Sequence, residues 1–345
     1  MRTLIIRCDG NHDVGMGHVS RCLALAAELR DREHCTVTFA MRGLETAGAA
    51  AVRAAGFAVD AVNADVHADY GEELQAIAAS HTAAALVVDV RDALSRASLD
   101  AIRGGGIRIV SIDDGTDRRL AADLAFYPPV PQVDEMDWAG FAGRRCAGWE
   151  WVLLRREFVT EYAPSPEISD ASPAIDVLVT MGGSDPAGLT EIALAALDLL
   201  PMPLAVCVVT GPAFTRDDSL SVAVARSTHA VRIASAPESL APLMRASRLA
   251  VVSFGMSAYE LAACGVPAVH VCLTDDHARS SSAFDAEGAA VTAGVFGRLT
   301  PQQLHDPIRR LIGRADRRAE MGRRASRLVD GRGAARVAAL VAAAI

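Results

Sequence analysis

The stretch TLIIRCDGNHDVGMGHVSRCLALAAELRD, residues 3–31, decides the fold. Its first six residues are a continuous apolar run of strand character. The last fourteen, residues 18–31, carry apolar side chains at helical spacing. Between them lies a loop with a glycine pair and a histidine. The same grammar recurs along the chain. Strand-like runs at 35–41, 84–90 and 107–113 alternate with helical segments near 45–55 and 95–103. Strands that are apolar throughout and separated by helices belong to parallel sheets covered on both faces. The rhythm breaks from about 127 to 174, which is rich in Pro, Ser and acid, and restarts with strands at 175–181, 204–211, 230–235, 248–254 and 268–273. A helix at 189–200 follows the first of these, and 301–345 is helical with an arginine-rich face. The expectation is an α/β chain of two doubly wound, Rossmann-like domains facing a cleft. Their bounds are 1–160 and 174–345, with a linker at 161–173 and a last helix able to return to the first domain.

The opening loop admits more than one reading. Gly15-Met16-Gly17-His18-Val19-Ser20 approaches the dinucleotide fingerprint G-x-G-x-x-G. It comes too far behind its strand, however, and the second strand ends in AMRG rather than in an acid. His18 lies in the first turn of a helix, where the positive end of the dipole favours a neutral imidazole that can accept a proton from water. Gly15 and Gly17 leave room for a ligand against the backbone, and Asp9 is placed to orient the ring or share the water. The alternative is a helix-capping loop whose histidine is merely solvated.

Composition narrows the chemistry. At 345 residues, 51% hydrophobic and a net charge of -8, the chain is long enough for two cores and has no electrostatic profile for nucleic acid. It contains no lysine: all 34 basic residues are arginine. Schiff-base chemistry and a Walker P-loop are excluded, so a bound phosphate must rest on backbone N–H groups, helix N-termini, hydroxyls or arginine. Seven cysteines without C-x-x-C spacing read as buried thiols. With no signal-peptide pattern and no apolar run of about 18 residues, the expectation is a cytoplasmic protein without membrane insertion, monomeric or weakly self-associating.

Two further loops repeat the strand–glycine–helix arrangement. In TMGGSDPAG (180–188), Gly182, Gly183, Ser184 and Asp185 suit a diphosphate or form a tight turn with an N-cap. In SFGMSAYE (253–260), Ser253, Gly255, Met256 and Ser257 make a second nest, with Glu260 for ribose hydroxyls or for a capping box with Ser257. Beyond the next strand, Asp275, Asp276 and His277 stand together as a metal site or a solvated loop.

These segments together resemble the glycosyltransferase-B superfamily. More closely, they resemble the UDP-2,4-diacetamido-2,4,6-trideoxy-β-L-altropyranose hydrolases of pseudaminic acid biosynthesis and the related spore-coat polysaccharide proteins. The resemblance runs through IRCDGNHDVGMGHVSRCLALA, SIDDGTDRRLAADL, GWEWVLLRREF, VTMGGSD and SFGMSAYELAACGVPAV. It implies hydrolysis of a nucleotide-diphosphate sugar: water attacks the anomeric carbon with inversion, and no metal or organic cofactor takes part. It assigns the base to His18 and the diphosphate to the loops at Gly182-Gly183 and Gly255–Ser257, with Glu260 on the ribose and Arg21 among the binding residues. Two positions beside the sugar depart from the family. Asp89-Val90-Arg91 stands for Asp-His-Tyr, and Asp276-His277 for an Asn-Gln type pair. Arg91 suits an acidic group on the substrate; a different nucleotide-linked substrate or a loss of hydrolysis also fits. A glycosyltransferase of the same fold is the rival enzyme, although residues 60–80 show no basic amphipathic patch for a lipid-linked acceptor. A non-catalytic nucleotide-sugar binder is the rival outside enzymes.

Overall fold

A computed structural model describes residues 2–11, 14–159, 175–211 and 213–345; the expected linker at 161–173 lies outside them. The chain divides into two compact units, Met1–Arg156 with Arg332–Ile345, and Glu157–Gly331. The second unit ends at Gly331, and Arg332–Ile345 return to the first.

The first unit carries a parallel sheet of seven strands: β1 Thr3–Cys8, β2 Thr36–Met41, β3 Ala58–Ala61, β4 Ala85–Asp89, β5 Arg108–Ile112, β6 Leu124–Tyr127 and β7 Arg144–Ala147, in the order β3-β2-β1-β4-β5-β6-β7. The central strands are apolar on both faces because helices cover both. Leu4, Ile6, Cys8, Ala85 and Val87 pack on one side with the helix Gly17–Asp31; Ile5, Leu86 and Val88 pack on the other with Tyr70 and Leu74. The last helix, Gly333–Ala343, buries Val337, Ala338 and Val341 in the first of these cores. A side chain at Gly333 would lie 2.1 Å from the Val152 carbonyl oxygen, so the returning chain passes too close for any other residue.

The second unit repeats the plan with six parallel strands: β8 Ile175–Thr180, β9 Ala205–Thr210, β10 Ala230–Ser235, β11 Ser247–Ser253, β12 Ala268–Cys272 and β13 Val291–Val295, in the order β10-β9-β8-β11-β12-β13. In each sheet the order reverses direction at one place, beside β1 and β4 in the first and beside β8 and β11 in the second. In open α/β sheets the loops at the carboxyl ends of the strands diverge at such a reversal, which is the usual ligand site. Of the loops singled out from the sequence, those with His18, Arg91, Gly182 and Gly255 follow β1, β4, β8 and β11, these same strands, and the one with His277 follows β12.

Candidate functional site

His18 is the second residue of the helix Gly17–Asp31. Met16 precedes that helix, and among the described residues no side chain caps it and its first turn holds no acid, which leaves the partial positive charge of the N-terminus uncompensated by them. Gly15 sets the approach. Its φ of +72° is open to glycine at little cost, and its N–H donates to the Asn11 carbonyl at 2.9 Å. The preceding turn is pinned from the other side, where the Gly48 N–H donates to the Gly10 carbonyl at 3.0 Å. Neither Gly10 nor Gly48 had drawn attention in the sequence.

The ring is held by Asp89, the last residue of β4: His18 Nδ1 lies 2.6 Å from Asp89 Oδ1. Asp89 is 1% exposed. Arg21, one helical turn after His18, grips the same carboxylate in a fork, Nε to Oδ2 and a terminal nitrogen to Oδ1, both at 2.6 Å. Burial alone would push the Asp89 carboxyl up; the Arg21 charge, helped by His18, outweighs it and holds the group well below the usual carboxylate range. An ionised carboxylate only accepts hydrogen bonds, so Nδ1 carries the proton donated to Asp89, and in the neutral ring the lone pair lies on Nε2. Nε2 has no protein partner among the described residues. The imidazole is therefore fixed in orientation and tautomer, with its basic nitrogen available, as a general base requires. The far end of Arg21 reaches Asp113 at 3.0 Å. Asp113 adopts a φ of +52°, which is uncommon outside glycine and of the kind found at functional sites.

Asp9 does not orient the ring as expected. Arg7 clasps it with two bonds of 2.6 Å, and the backbone N–H of Arg42 adds a third at 2.8 Å. The reason is the two-residue alternation of a strand. Cys8 and its partner in register, Asp89, face the His18 helix, whereas Arg7 and Asp9 face the opposite layer. There Arg7, wholly buried, also binds Tyr70 at 2.9 Å and Asp92 at 3.1 Å, and Asp92 takes Arg42 at 2.5 Å and Arg118 at 3.2 Å. This interlocked set ties the carboxyl ends of the central strands together behind the histidine. Arg21 and Asp89, expected on the substrate, are likewise bound to each other. Arg91 stays open: its side chain is 55% exposed and reaches Asp113 only at 3.5 Å.

In the second unit, Gly182 takes a φ of +82° and Ser184 is half-buried. Gly183 serves packing, because a side chain on Gly211 would lie 2.4 Å from its Cα, and its carbonyl accepts from the Ala213 N–H at 3.1 Å. Asp185 turns inward, 3% exposed, and caps the following helix by accepting from the N–H groups of Leu189 at 2.8 Å and Thr190 at 2.9 Å. Its carboxylate thus serves as a helix cap.

After β11, Gly255 caps the helix Met256–Ala263 without a side-chain bond. That places Ser257 inside the helix and Glu260 in its second turn, so the capping box does not form. Ser253 is buried at the strand end, Glu260 is buried, and Met256 and Ser257 are half-buried. His277 falls in the first turn of the helix Asp275–Ala286, its N–H donating to Thr274 Oγ1 at 3.1 Å; its ring stands 6.1 Å from that of Phe254, beside the Gly255 loop. Asp275 is paired with Arg298. Among the described residues no three His, Cys, Asp or Glu side chains converge as a metal site, no helix is long and apolar enough to cross a membrane, and all seven cysteines are free thiols.

Comparison with known proteins agrees with this architecture. The solved structure of Acinetobacter baumannii MurG superposes with a TM-score of 0.72 over 99% of both chains at 16% identity. The chain has the glycosyltransferase-B fold. The spinosyn rhamnosyltransferase SpnG, solved in complex with thymidine diphosphate, superposes at 0.63 over 99% of this chain and 100% of its own, at 18% identity. In sequence, the spore coat polysaccharide biosynthesis protein SpsG of Bacillus subtilis is 28% identical over 169 residues. That match spans about half of each protein, 48% of this chain and 49% of SpsG. No family model matches the chain.

Proposed function

We propose that the chain hydrolyses a nucleotide-diphosphate sugar in the making of a surface polysaccharide or related glycan. The observation that carries this reading is the His18–Asp89 pair, in which a buried, arginine-neutralised carboxylate fixes the imidazole with Nε2 free to take a proton. In the reaction His18 Nε2 accepts a proton from water as the oxygen attacks the anomeric carbon. The C–O bond to the diphosphate breaks with inversion, its electron pair leaves with the nucleoside diphosphate, and His18 returns the proton to solvent. Asp89 stabilises the imidazolium formed on the way, the role a carboxylate plays behind a histidine base. The diphosphate rests on the loops at Gly182–Ser184 and Gly255–Ser257, where glycine N–H groups and an uncapped helix N-terminus replace the missing lysine. Glu260 takes the ribose, and His277 borders the nucleotide loop. The SpsG likeness supports the glycan context and the fold supports the substrate class.

A transferase passing the sugar to an acceptor other than water is the second reading, favoured by the likeness to a rhamnosyltransferase. One experiment separates the two. Purified protein is incubated with UDP-, CMP-, GDP- and dTDP-sugars, with no acceptor, and nucleotide release is measured for the wild type and His18→Ala. Release from the wild type that disappears in His18→Ala, while nucleotide binding stays within a few fold, is the expected result. Near-normal release by His18→Ala refutes the mechanism; binding without release from the wild type moves the assignment to a transferase or a binding protein.

A further inference from the structure

Five arginines gather at the carboxyl ends of the first unit's strands, and four of them are committed. Arg7, Arg21, Arg42 and Arg118 are mostly or wholly buried, and each holds a carboxylate at between 2.5 and 3.0 Å. Arg91 differs in both respects. More than half of its side chain is exposed, and its one ion pair among the described residues, to Asp113 Oδ2, is a loose 3.5 Å. Arg21 already occupies that same oxygen at 3.0 Å. Most of the donors in the Arg91 fork are thus unclaimed by protein.

Its position lies on the side of the sheet that carries His18. Arg91 lies two residues beyond Asp89, so strand alternation carried past β4 puts it on the His18 side of the sheet, while Val90 goes into the opposite core. Contacts of 3.5 Å to Asp113, 3.0 Å from there to Arg21 and 3.2 Å from Arg21 to His18 Nδ1 join it to the ring. One carboxylate, Asp113, thus stands between two guanidinium groups, the mostly buried Arg21 and the exposed Arg91. A planar fork with free donors matches a carboxylate or phosphate in two-point fashion.

We propose that Arg91 is the receptor for an anionic group, a carboxylate, on the glycosyl part of the substrate, so that the enzyme prefers acidic over neutral sugars. The inference rests on the nucleotide-sugar reading above, in which the diphosphate is held by loops of the other unit. Asp113 acts as the positioning residue for Arg91 and makes no contact with substrate in this scheme.

The test is titration calorimetry of the full chain with UDP, UDP-glucose and UDP-glucuronate, and with the dTDP series, for the wild type and Arg91→Gln. The wild type is expected to bind the glucuronate ester at least tenfold more tightly than the glucose ester, with the preference shrinking as salt is raised. Arg91→Gln should remove the preference and leave the nucleoside diphosphate and its glucose ester within about twofold, with an unchanged near-ultraviolet circular dichroism spectrum. A wild type without preference for the acidic sugar overturns the proposal. So does an Arg91→Gln variant that loses UDP and UDP-glucuronate affinity equally, which would place Arg91 on the diphosphate. If none of these ligands binds, the nucleoside diphosphates included, the nucleotide-sugar reading falls first and takes this inference with it.

Discussion

Replacing Asp89 with asparagine removes one charge and leaves the shape. In the native protein this carboxylate accepts three bonds of 2.6 Å, two from Arg21 and one from His18. Asparagine keeps a single acceptor oxygen and turns an NH2 group toward a guanidinium or an imidazole N–H, where two donors meet. Arg21 retains Asp113 at 3.0 Å but loses its main counter-ion inside the protein. Breaking a buried ion pair from one side costs about 3–5 kcal/mol. If the asparagine oxygen goes to Arg21, the ring loses its tautomer as well as the charge behind it, and kcat should fall by about 10²–10⁴, equivalent to roughly 3–5 kcal/mol of barrier. The stability effect has a definite sign with pH. The folded-state pKa of Asp89 lies below its unfolded value, so its contribution is complete above about pH 4 and is lost as the pH falls through the folded-state value. Asp89→Asn should therefore be less stable than the wild type at pH 7 in urea titrations, and the gap should narrow below pH 4. Turnover is measured on folded variant, with nucleotide binding as the check on the second unit. Turnover within threefold of wild type would refute the positioning role of Asp89.

Other outcomes are open to measurement. Glu260→Ala should chiefly raise KM, because ribose contacts stabilise ground and transition states alike; a loss confined to kcat contradicts that assignment. His270, wholly buried on β12 with Nδ1 2.9 Å from Ser281 Oγ, has its pKa pushed down to about 3 by desolvation. The unfolded chain binds a proton there that the folded protein refuses. Stability should thus fall by roughly 2 kcal/mol as the pH drops from 6.5 to 4.5, and His270→Leu should remove most of that dependence in urea titrations. Gly211→Ala should destabilise the second unit by about 1–3 kcal/mol, since its Cβ would lie 2.4 Å from the Gly183 backbone, and it should weaken nucleotide binding through that loop. Unchanged melting and binding would show that the two loops do not depend on each other.

The alternation of strand and helix was legible in the chain. Apolar runs such as residues 3–8, 84–90 and 248–254 are local patterns, and a parallel sheet buried on both faces is the main way to use them. So was the placing of His18 in a helix's first turn, which follows from nearest neighbours in sequence. The short outer strands were not legible: AVDA, LAFY and RRCA are four residues each, half polar in the last case, and owe their conformation to the neighbour they pair with. Which core residues the closing helix packs against was equally hidden. Partners across a fold were hidden for the same reason. Which aspartate stands behind His18 depends on the register of β1 against β4 and on which face each residue takes. Asp9 is nine residues from His18 in sequence and faces away from it, and Asp89 is seventy-one residues off and touches it. The sequence by itself determined the main alternation of strand and helix, the loops that carry chemistry and the reliance on arginine, because these follow from composition and short-range spacing. Only the tertiary structure decided which carboxylate holds the histidine, which loop acid is a helix cap and which arginine remains open, because each turns on the pairing of residues that the chain brings together only when the sheet forms.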